Sequence, residues 1–361
     1  MKTLAVVPVV LLATTSIAMA QQATIVVATN YGPRSVEVAA PDHVICSLTN
    51  DGRQQAVDVS TASAPLLDGA IFDAPFFDQF CDAAYTPAFG GRLVTTHRFG
   101  GINLVDASIP GAMVNLFSSI QPPKYSHEGL EIHTNGSGQT FVAYSEHNVS
   151  NTGGGLLLYQ MLASSLVPLG SDILIGRDGN ALEIGPTGQH IWQLGWISAN
   201  PSDNQLFVWD TNLWTTPSLV STVPMPWTTV NYDKCIERAA APNLLATCGL
   251  DGLTAIDISN PIAPVVGTTL AMVNPNLYVD GVTFLDGTDL AIAWGYVDLG
   301  GNVYWDFFLF LDASIPGTAV PLMAFPSTMQ IVDIKLVASN TRWGYFLGRD
   351  RNTLETKLQI W

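Results

Sequence analysis

The sequence predicts an all-β fold: a seven-bladed β-propeller of four-stranded antiparallel blades, closed by the N-terminal strand joining the C-terminal blade. Three observations predict it. The hexapeptide Asp106-Ala107-Ser108-Ile109-Pro110-Gly111 returns unchanged as Asp312-Ala313-Ser314-Ile315-Pro316-Gly317, and partial copies mark a period of about fifty residues. Each period holds four short runs rich in β-branched and aromatic residues, separated by Gly, Asp, Asn and Pro. The chain ends on three such runs and opens on one.

Taken in order, residues 1–20 read as a secretory signal. Lys2 is followed by an apolar run and then Ala18-Met19-Ala20, with cleavage expected before Gln21. A membrane anchor is the alternative, but the run is short for a span and ends in small residues. Residues 21–361 are then a single domain. "ATIVVAT" is a lone strand ahead of the first unit.

The units are marked by an apolar strand, an Asp, a Ser/Pro turn and another apolar strand. The marker falls at Asp58, Asp106, Gln160, Asp210, Asp257 and Asp312, and the next would fall one residue beyond Trp361. The steps are 48, 54, 50, 47, 55 and 50 residues. The unit ahead of Asp312 shows the four strands most plainly: "DGVTFLDG", "LAIAWGYVD", "WDFFLFLD" and "AVPLMAFP". No stretch sustains a helical period. A four-stranded sheet has two apolar faces, and a ring of such sheets covers both. After Pro326 come only "MQIVDIKLV", "RWGYFLG" and "KLQIW", so the opening strand completes the seventh sheet.

Gly252, Leu253, Asp257, Ser259, Pro261, Pro264 and Gly267 carry a resemblance. This stretch is similar to the LVIVD repeat of bacterial and archaeal extracellular propellers. The units at Asp58, Asp106 and Asp312 match in part, and those at Gln160 and Asp210 depart from the pattern. The resemblance implies the propeller fold and a secreted, extracellular or periplasmic location, and implies little about activity.

Composition narrows the partners. Without Lys2, 13 Lys and Arg face 30 Asp and Glu, a formal charge of −17. So acidic a chain is not built for nucleic acid or anionic membranes. No later apolar run is long enough to span a bilayer. The four cysteines suggest two disulfides in an exported chain. Spacing favours Cys235 with Cys248, leaving Cys46 with Cys81, although four cysteines allow three pairings. Asn135 and Asn148 open Asn-x-Ser sequons in polar, loop-like stretches.

The usual catalytic fingerprints are absent, and "HEGLEIH" lacks the second His that a zinc-protease helix needs. The most informative signal is positional. The middle residue of the first strand in the seven units is Glu37, Asp82, Glu131, Glu183, Glu237, Thr283 and Lys335. Five of the seven are acidic. A carboxylate is costly to bury unpaired, and the first strand of a blade borders the central channel. These groups are therefore expected to face a hydrated channel, with Lys335 and Arg238 as counter-charges. The ring either holds ordered water or binds a hard cation such as calcium, with Glu131 and Glu183 as ligands.

His127, Glu128, Asp178, Asp233 and Asp280 are expected at the channel mouth. Strand parity would set His127, Glu131 and His133 on one face, as a transition-metal or general-base group or as a polar strand end. Trp192, Trp196, Trp209, Trp214 and Trp227 either pack between blades or stack on sugars. The expected function is a monomeric extracellular binding or interaction module for a protein, a glycan or a small molecule. A calcium-dependent lactonase- or phosphotriesterase-like hydrolase and a carbohydrate-binding propeller are the alternatives.

Overall fold

A computed structural model describes residues 21–361 except 41, 49–52, 74–79, 98–100, 121–123, 149–153, 175–176, 198–199, 228–233, 250, 271–275, 286, 302 and 338–343. For some residues at strand ends it describes the backbone alone. Seven four-stranded antiparallel sheets form the ring. Blade 1 is β2 (Pro33–Ala40), β3 (His43–Leu48), β4 (Arg53–Asp58) and β5 (Leu66–Asp73). Blade 2 is β6 (Phe80–Thr86), β7 (Arg92–His97), β8 (Gly101–Asp106) and β9 (Val114–Ile120). Blade 3 is β10 (Lys124–Thr134), β11 (Thr140–Asn148), β12 (Gly154–Met161) and β13 (Leu166–Leu174). Blade 4 is β14 (Arg177–Ile184), β15 (His190–Ile197), β16 (Asn200–Asp210) and β17 (Ser218–Pro224). Blade 5 is β18 (Lys234–Arg238), β19 (Asn243–Cys248), β20 (Leu253–Asp257) and β21 (Val265–Leu270). Blade 6 is β22 (Leu277–Phe284), β23 (Leu290–Gly300), β24 (Val303–Asp312) and β25 (Val320–Pro326).

Blade 7 closes the ring. Its strands β26 (Gln330–Leu336), β27 (Gly344–Arg349) and β28 (Thr356–Ile360) are joined by β1 (Ala23–Ala28), in the order β1-β28-β27-β26. β1 runs antiparallel to β28, with Ala23 opposite Ile360 and Val26 opposite Lys357. The segment after Gln21 and "KLQIW" therefore share one sheet, as the sequence predicts. The signal-like residues 1–20 lie outside the described residues.

Burial explains the ring. Seven apolar clusters fill the seven seams between consecutive blades. One joins Val36, Val44, Cys46 and Val57 of blade 1 to Tyr345, Leu347, Leu358 and Ile360 of blade 7. Another joins Trp192, Leu194, Leu206 and Val208 of blade 4 to Ile236, Leu244, Ala246 and Ile256 of blade 5. Each blade thus covers one face with each neighbour, and no strand needs a helix to shield it.

The repeated hexapeptide has a structural task. Asp106 Oδ1 accepts from Ser108 N at 3.0 Å, and Asp312 Oδ1 from Ser314 N at 2.9 Å. The same turn recurs at Asp58, Asp210 and Asp257. Each carboxylate ties its own backbone into a tight corner. The preceding blade then reads the carbonyls of that corner. Asn243 Nδ2 donates to Ala313 O (3.0 Å), Ile315 O (3.1 Å) and Thr318 O (2.9 Å). Trp192 Nε1 donates to Pro261 O at 3.1 Å, and at the corner after Gln160, which has no such carboxylate, Arg92 Nε donates to Ala163 O at 2.9 Å. Gly267, on β21 of the preceding blade, permits close approach to the hexapeptide's last residue: a Cβ there would lie 2.0 Å from Gly317 O.

The disulfide expectation is corrected. Neither Cys46 nor Cys235 is in a disulfide. In β18–β19 the register sets Cys235 opposite Thr247 and Cys248 opposite Lys234, so the two cysteine positions fall on opposite faces of the sheet. Cys235 Sγ donates instead to Val282 O of blade 6 at 3.2 Å. Cys46 packs into the seam toward blade 7, whereas Cys81 stands on β6 of blade 2; the side chains of Cys81 and Cys248 lie outside the described residues. The Trp-rich unit is also mostly interior, since Trp192, Trp196, Trp209 and Trp227 are buried. Half-buried Trp214 stacks on Phe141 at 4.5 Å.

Asn243→Ala is expected to lower stability by about 2–3 kcal/mol, because three turn carbonyls lose their donor at once. Gly267→Ala is expected to cost about 1–3 kcal/mol through overpacking at the blade 5–6 seam. Urea melts of the two variants measure both losses, and an unchanged midpoint for Asn243→Ala would show that the corner holds without its reader.

Candidate functional site

The inner strands β2, β6, β10, β14, β18, β22 and β26 run in one direction along the central channel. Residues near their starts line an upper chamber of 280 Å³, and residues near their ends line a lower one of 520 Å³. Glu37, Glu131, Glu237 and Lys335 border both, so this layer is the waist of the channel.

The register defines the waist. In blade 1 the unit's Asp58 pairs with His43, and Glu37 pairs with Ile45, two residues further on. The same offset selects Glu131, Glu183, Glu237 and Thr283 in blades 3 to 6. Lys335, opposite Tyr345, takes the matching place in blade 7. In blade 2 the offset selects Ala84, opposite Val94, and not Asp82. Asp82 sits two residues nearer the upper mouth, level with Asp333 of β26. Both follow a register shift, between Phe80 and Asp82 and between Ile331 and Asp333. The acidic ring therefore has two layers: four glutamates at the waist and two aspartates above them.

Each layer is partly tied into the framework. Asp333 Oδ2 accepts from Val36 N of blade 1 at 2.8 Å, and Asp82 Oδ2 from Leu130 N of blade 3 at 3.1 Å. Their other oxygens accept from Ile334 N and Ala83 N, each at 2.8 Å. Glu37 Oε2 accepts from Tyr85 N of blade 2 at 3.3 Å, and its Oε1 lies 3.3 Å from Lys335 Nζ. Glu183 Oε1 lies 3.7 Å from Arg238 Nε. These carboxylates clasp neighbouring inner strands at the axis. Glu131 differs: it makes no hydrogen bond or ion pair with the described residues.

Crowding and burial set the protonation states. Burial and then Glu237, against the pull of Lys335 and with help from Asp82 and Glu37, raise Glu131 to about 8. Burial and the Glu37 charge raise Asp82 to about 7, and burial raises Asp333 to about 6. Glu183 is also pushed well up, by burial and then by Glu131 and Glu237. Burial raises Glu37 despite Lys335 beside it. Lys335 is held well above its ordinary value, first by Glu37 and then, against its own burial, by Asp333, Glu237 and Glu131.

The other sequence candidates fall elsewhere or out of view. Asp280 lines the upper chamber. It also helps to raise Tyr296, which burial and this carboxylate push up to about 12. His133 lies two residues beyond Glu131 but stacks on Trp214 at 6.2 Å, against the blade 4 turn at Gly188. It lines neither chamber, and burial lowers its pKa. A register shift between Ser126 and Leu130 breaks the parity expected from His127 to Glu131. The side chains of His127, Glu128 and Asp178, and all of Asp233, lie outside the described residues. Asn135 is in a turn, where its Oδ1 accepts from Ser137 N and Gln139 N. Asn148 ends strand β11 rather than lying in a loop, and its side chain is outside the described residues. Among the described residues, no three His, Cys, Asp or Glu side chains converge as metal ligands.

The sequence reading missed Asp333, Ser35 and Trp294, all of which line the upper chamber. The alternation of Asp333 with Lys335 was the signal for the first, since both then face the axis.

No protein-family model matches the chain, and no curated protein is similar to it in sequence. Solved structures show the fold. A Lactobacillus plantarum protein is similar over 81% of this chain and 84% of its own, with a TM-score of 0.61 and 12% identity. The Cps50 (Swd1) β-propeller domain of Myceliophteria thermophila is similar over 94% and 99%, with a TM-score of 0.62 and 12% identity. A catalytically inactive virginiamycin B lyase from Staphylococcus aureus, solved with quinupristin, is similar over 94% and 99%, at 0.58 and 10%. At such identities these likenesses establish the propeller and nothing of its chemistry.

The protonation states give a test. A carboxylate raised on folding stabilises fully below its unfolded value, near 4, and loses that contribution as pH rises through the folded value. Glu131, Asp82 and Asp333 therefore make the protein less stable from about pH 4 to about pH 8. Lys335, raised above 10.5, contributes evenly across that window. Glu131→Gln should raise the melting temperature at about pH 8 by at least about 2 °C and leave it nearly unchanged at about pH 5. Equal shifts at both pH values would mean that Glu131 ionises normally.

Proposed function

We propose that the chain is an exported, extracellular propeller of the LVIVD-like kind, and that it acts as a binding module with its ligand site in the acidic central channel. The carrying observation is the channel itself. Two chambers of 280 and 520 Å³ meet at a waist where Glu37 is held by Tyr85 N and Lys335, and Glu183 by Arg238. Rigid walls that present a few polar groups into a concave space are the usual form of a small-ligand site. The signal-like residues 1–20 and the acidic composition support export and an extracellular partner.

The alternatives are less well supported. A calcium-dependent hydrolase needs six to eight oxygens around one point. Here the waist carboxylates stand on different blades around the channel, and Glu183 is paired with Arg238. A carbohydrate platform built on the fourth unit needs exposed indoles, and four of those five tryptophans are buried.

Two measurements test the proposal. A thermal-shift panel of sugars, amines, carboxylic acids and divalent cations is expected to give hits whose affinity changes at least about tenfold in Glu131→Arg, which places a cation in the channel. A panel without hits, or hits indifferent to Glu131→Arg, would overturn the reading. Chelator is expected to leave the melting temperature of the dialysed protein unchanged, and a clear drop would restore the calcium-dependent hydrolase.

A further inference from the structure

We propose that the upper chamber takes a small hydroxylated primary amine, with its ammonium group held by Glu131 and its oxygens bound by Ser35 Oγ and Trp294 Nε1. The inference rests on the binding-module reading and names the ligand class for that site.

Three groups of the chamber carry it. Glu131 lines the chamber and makes no hydrogen bond or ion pair with the described residues. Its neighbours are differently placed. Glu37 has Lys335 at 3.3 Å, and both oxygens of Asp82 and of Asp333 accept backbone N–H groups. An ammonium brings three N–H donors and a positive charge, which is what a desolvated carboxylate lacks.

The other two observations are independent of the acids. Ser35 is 6% exposed and Trp294 is 4% exposed. Both line this chamber, and neither Ser35 Oγ nor Trp294 Nε1 has a hydrogen-bond partner among the described residues. Buried polar atoms are rarely left so, and each costs stability until it is satisfied. The indole N–H only donates, so its partner must be an acceptor, such as a ligand oxygen. Gly281 lets the indole reach the wall: a Cβ there would lie 2.1 Å from Trp294 Cζ2.

Other ligand classes fit less well. An anion would meet a surplus of carboxylates. A neutral polyol would satisfy Ser35 and Trp294 but leave Glu131 with only the Lys335 charge, which it shares with Glu37, Asp333 and Glu237. A bare metal ion needs ligands that converge, and these three groups stand on blades 3, 1 and 6. A molecule with an ammonium at one end and hydroxyls at the other can span them within 280 Å³.

The test is a matched series on one six-carbon skeleton, measured by titration calorimetry in amine-free buffer. Glucamine carries the ammonium, sorbitol is neutral and gluconate is anionic. Glucamine is expected to bind at least about tenfold more tightly than sorbitol, with gluconate weaker still. Glu131→Gln should remove the preference for glucamine over sorbitol, and Ser35→Ala should weaken glucamine by about fivefold. Ser35→Ala serves alone if Glu131→Gln does not fold. The inference is overturned if glucamine does not bind, binds no better than sorbitol, or binds the two variants as it binds the parent. Sorbitol or gluconate that binds at least as tightly as glucamine, and responds to Glu131→Arg, would overturn the amine while leaving the channel as the ligand site. Failure of the whole panel would remove the channel as well.

Discussion

Everything in this molecule depends on the pairing of β1 with β28. A blade alone leaves two apolar faces uncovered, and a row of blades leaves one at each end. Closure removes both at once, and here it is made by main-chain hydrogen bonds between the two ends of the domain. Tyr31 O accepts a bond from Thr356 Oγ1, so the link continues past the strand into the loop that leads to blade 1. The axial channel exists because the ring is closed, and the inner strands face one another only in that arrangement.

Between blades, adhesion is apolar but registration is polar. Val, Leu, Ile and Ala side chains in the seams are non-directional and would tolerate sliding. The corners after the third strands are not so tolerant. Their Asp-to-backbone bonds fix a turn, and the neighbouring blade reads that turn through whichever long polar side chain it has at hand, Asn243 or Trp192, while Arg92 reads the one corner that has Gln160 in place of the Asp. The reader differs from seam to seam, whereas the turn recurs. That is why the hexapeptide repeats in the sequence when most of its surroundings do not.

The legibility of the fold follows from this division. Turn chemistry and strand composition are local, so the period, the strands and the shared seventh sheet could be read directly, including the degenerate unit at Gln160. The waist could be read wherever an acid stood alone in a short apolar strand, as at Glu37, Glu131, Glu183 and Glu237. It misled at Asp82, because a register shift near Phe80 moves that residue up one layer, and a shift has no sign in composition. Spacing from the unit's Asp could not correct the reading, since the hairpin between the first two strands varies in length. The cysteine pairing failed for a related reason: a one-residue register difference turns neighbouring positions to opposite faces. Ser35 and Trp294 gave no sign, because their importance lies in what surrounds them.

The waist is the one place where stability and use diverge. A packed apolar plug would hold the inner strands with less electrostatic strain than this ring of carboxylates, in which burial raises Glu37, Asp82, Glu131, Glu183 and Asp333. Three of those carboxylates offset part of that cost by bonding the next blade's backbone, which accounts for Glu37, Asp82 and Asp333 as structural parts. Glu131 has no such return. Its ionisation is opposed by burial and by Glu237, Asp82 and Glu37, only in part offset by Lys335, and no backbone group is held by it. A buried carboxylate that makes no hydrogen bond or ion pair of its own, and only adds to the field around Lys335, is accounted for by what it does when something cationic enters the channel.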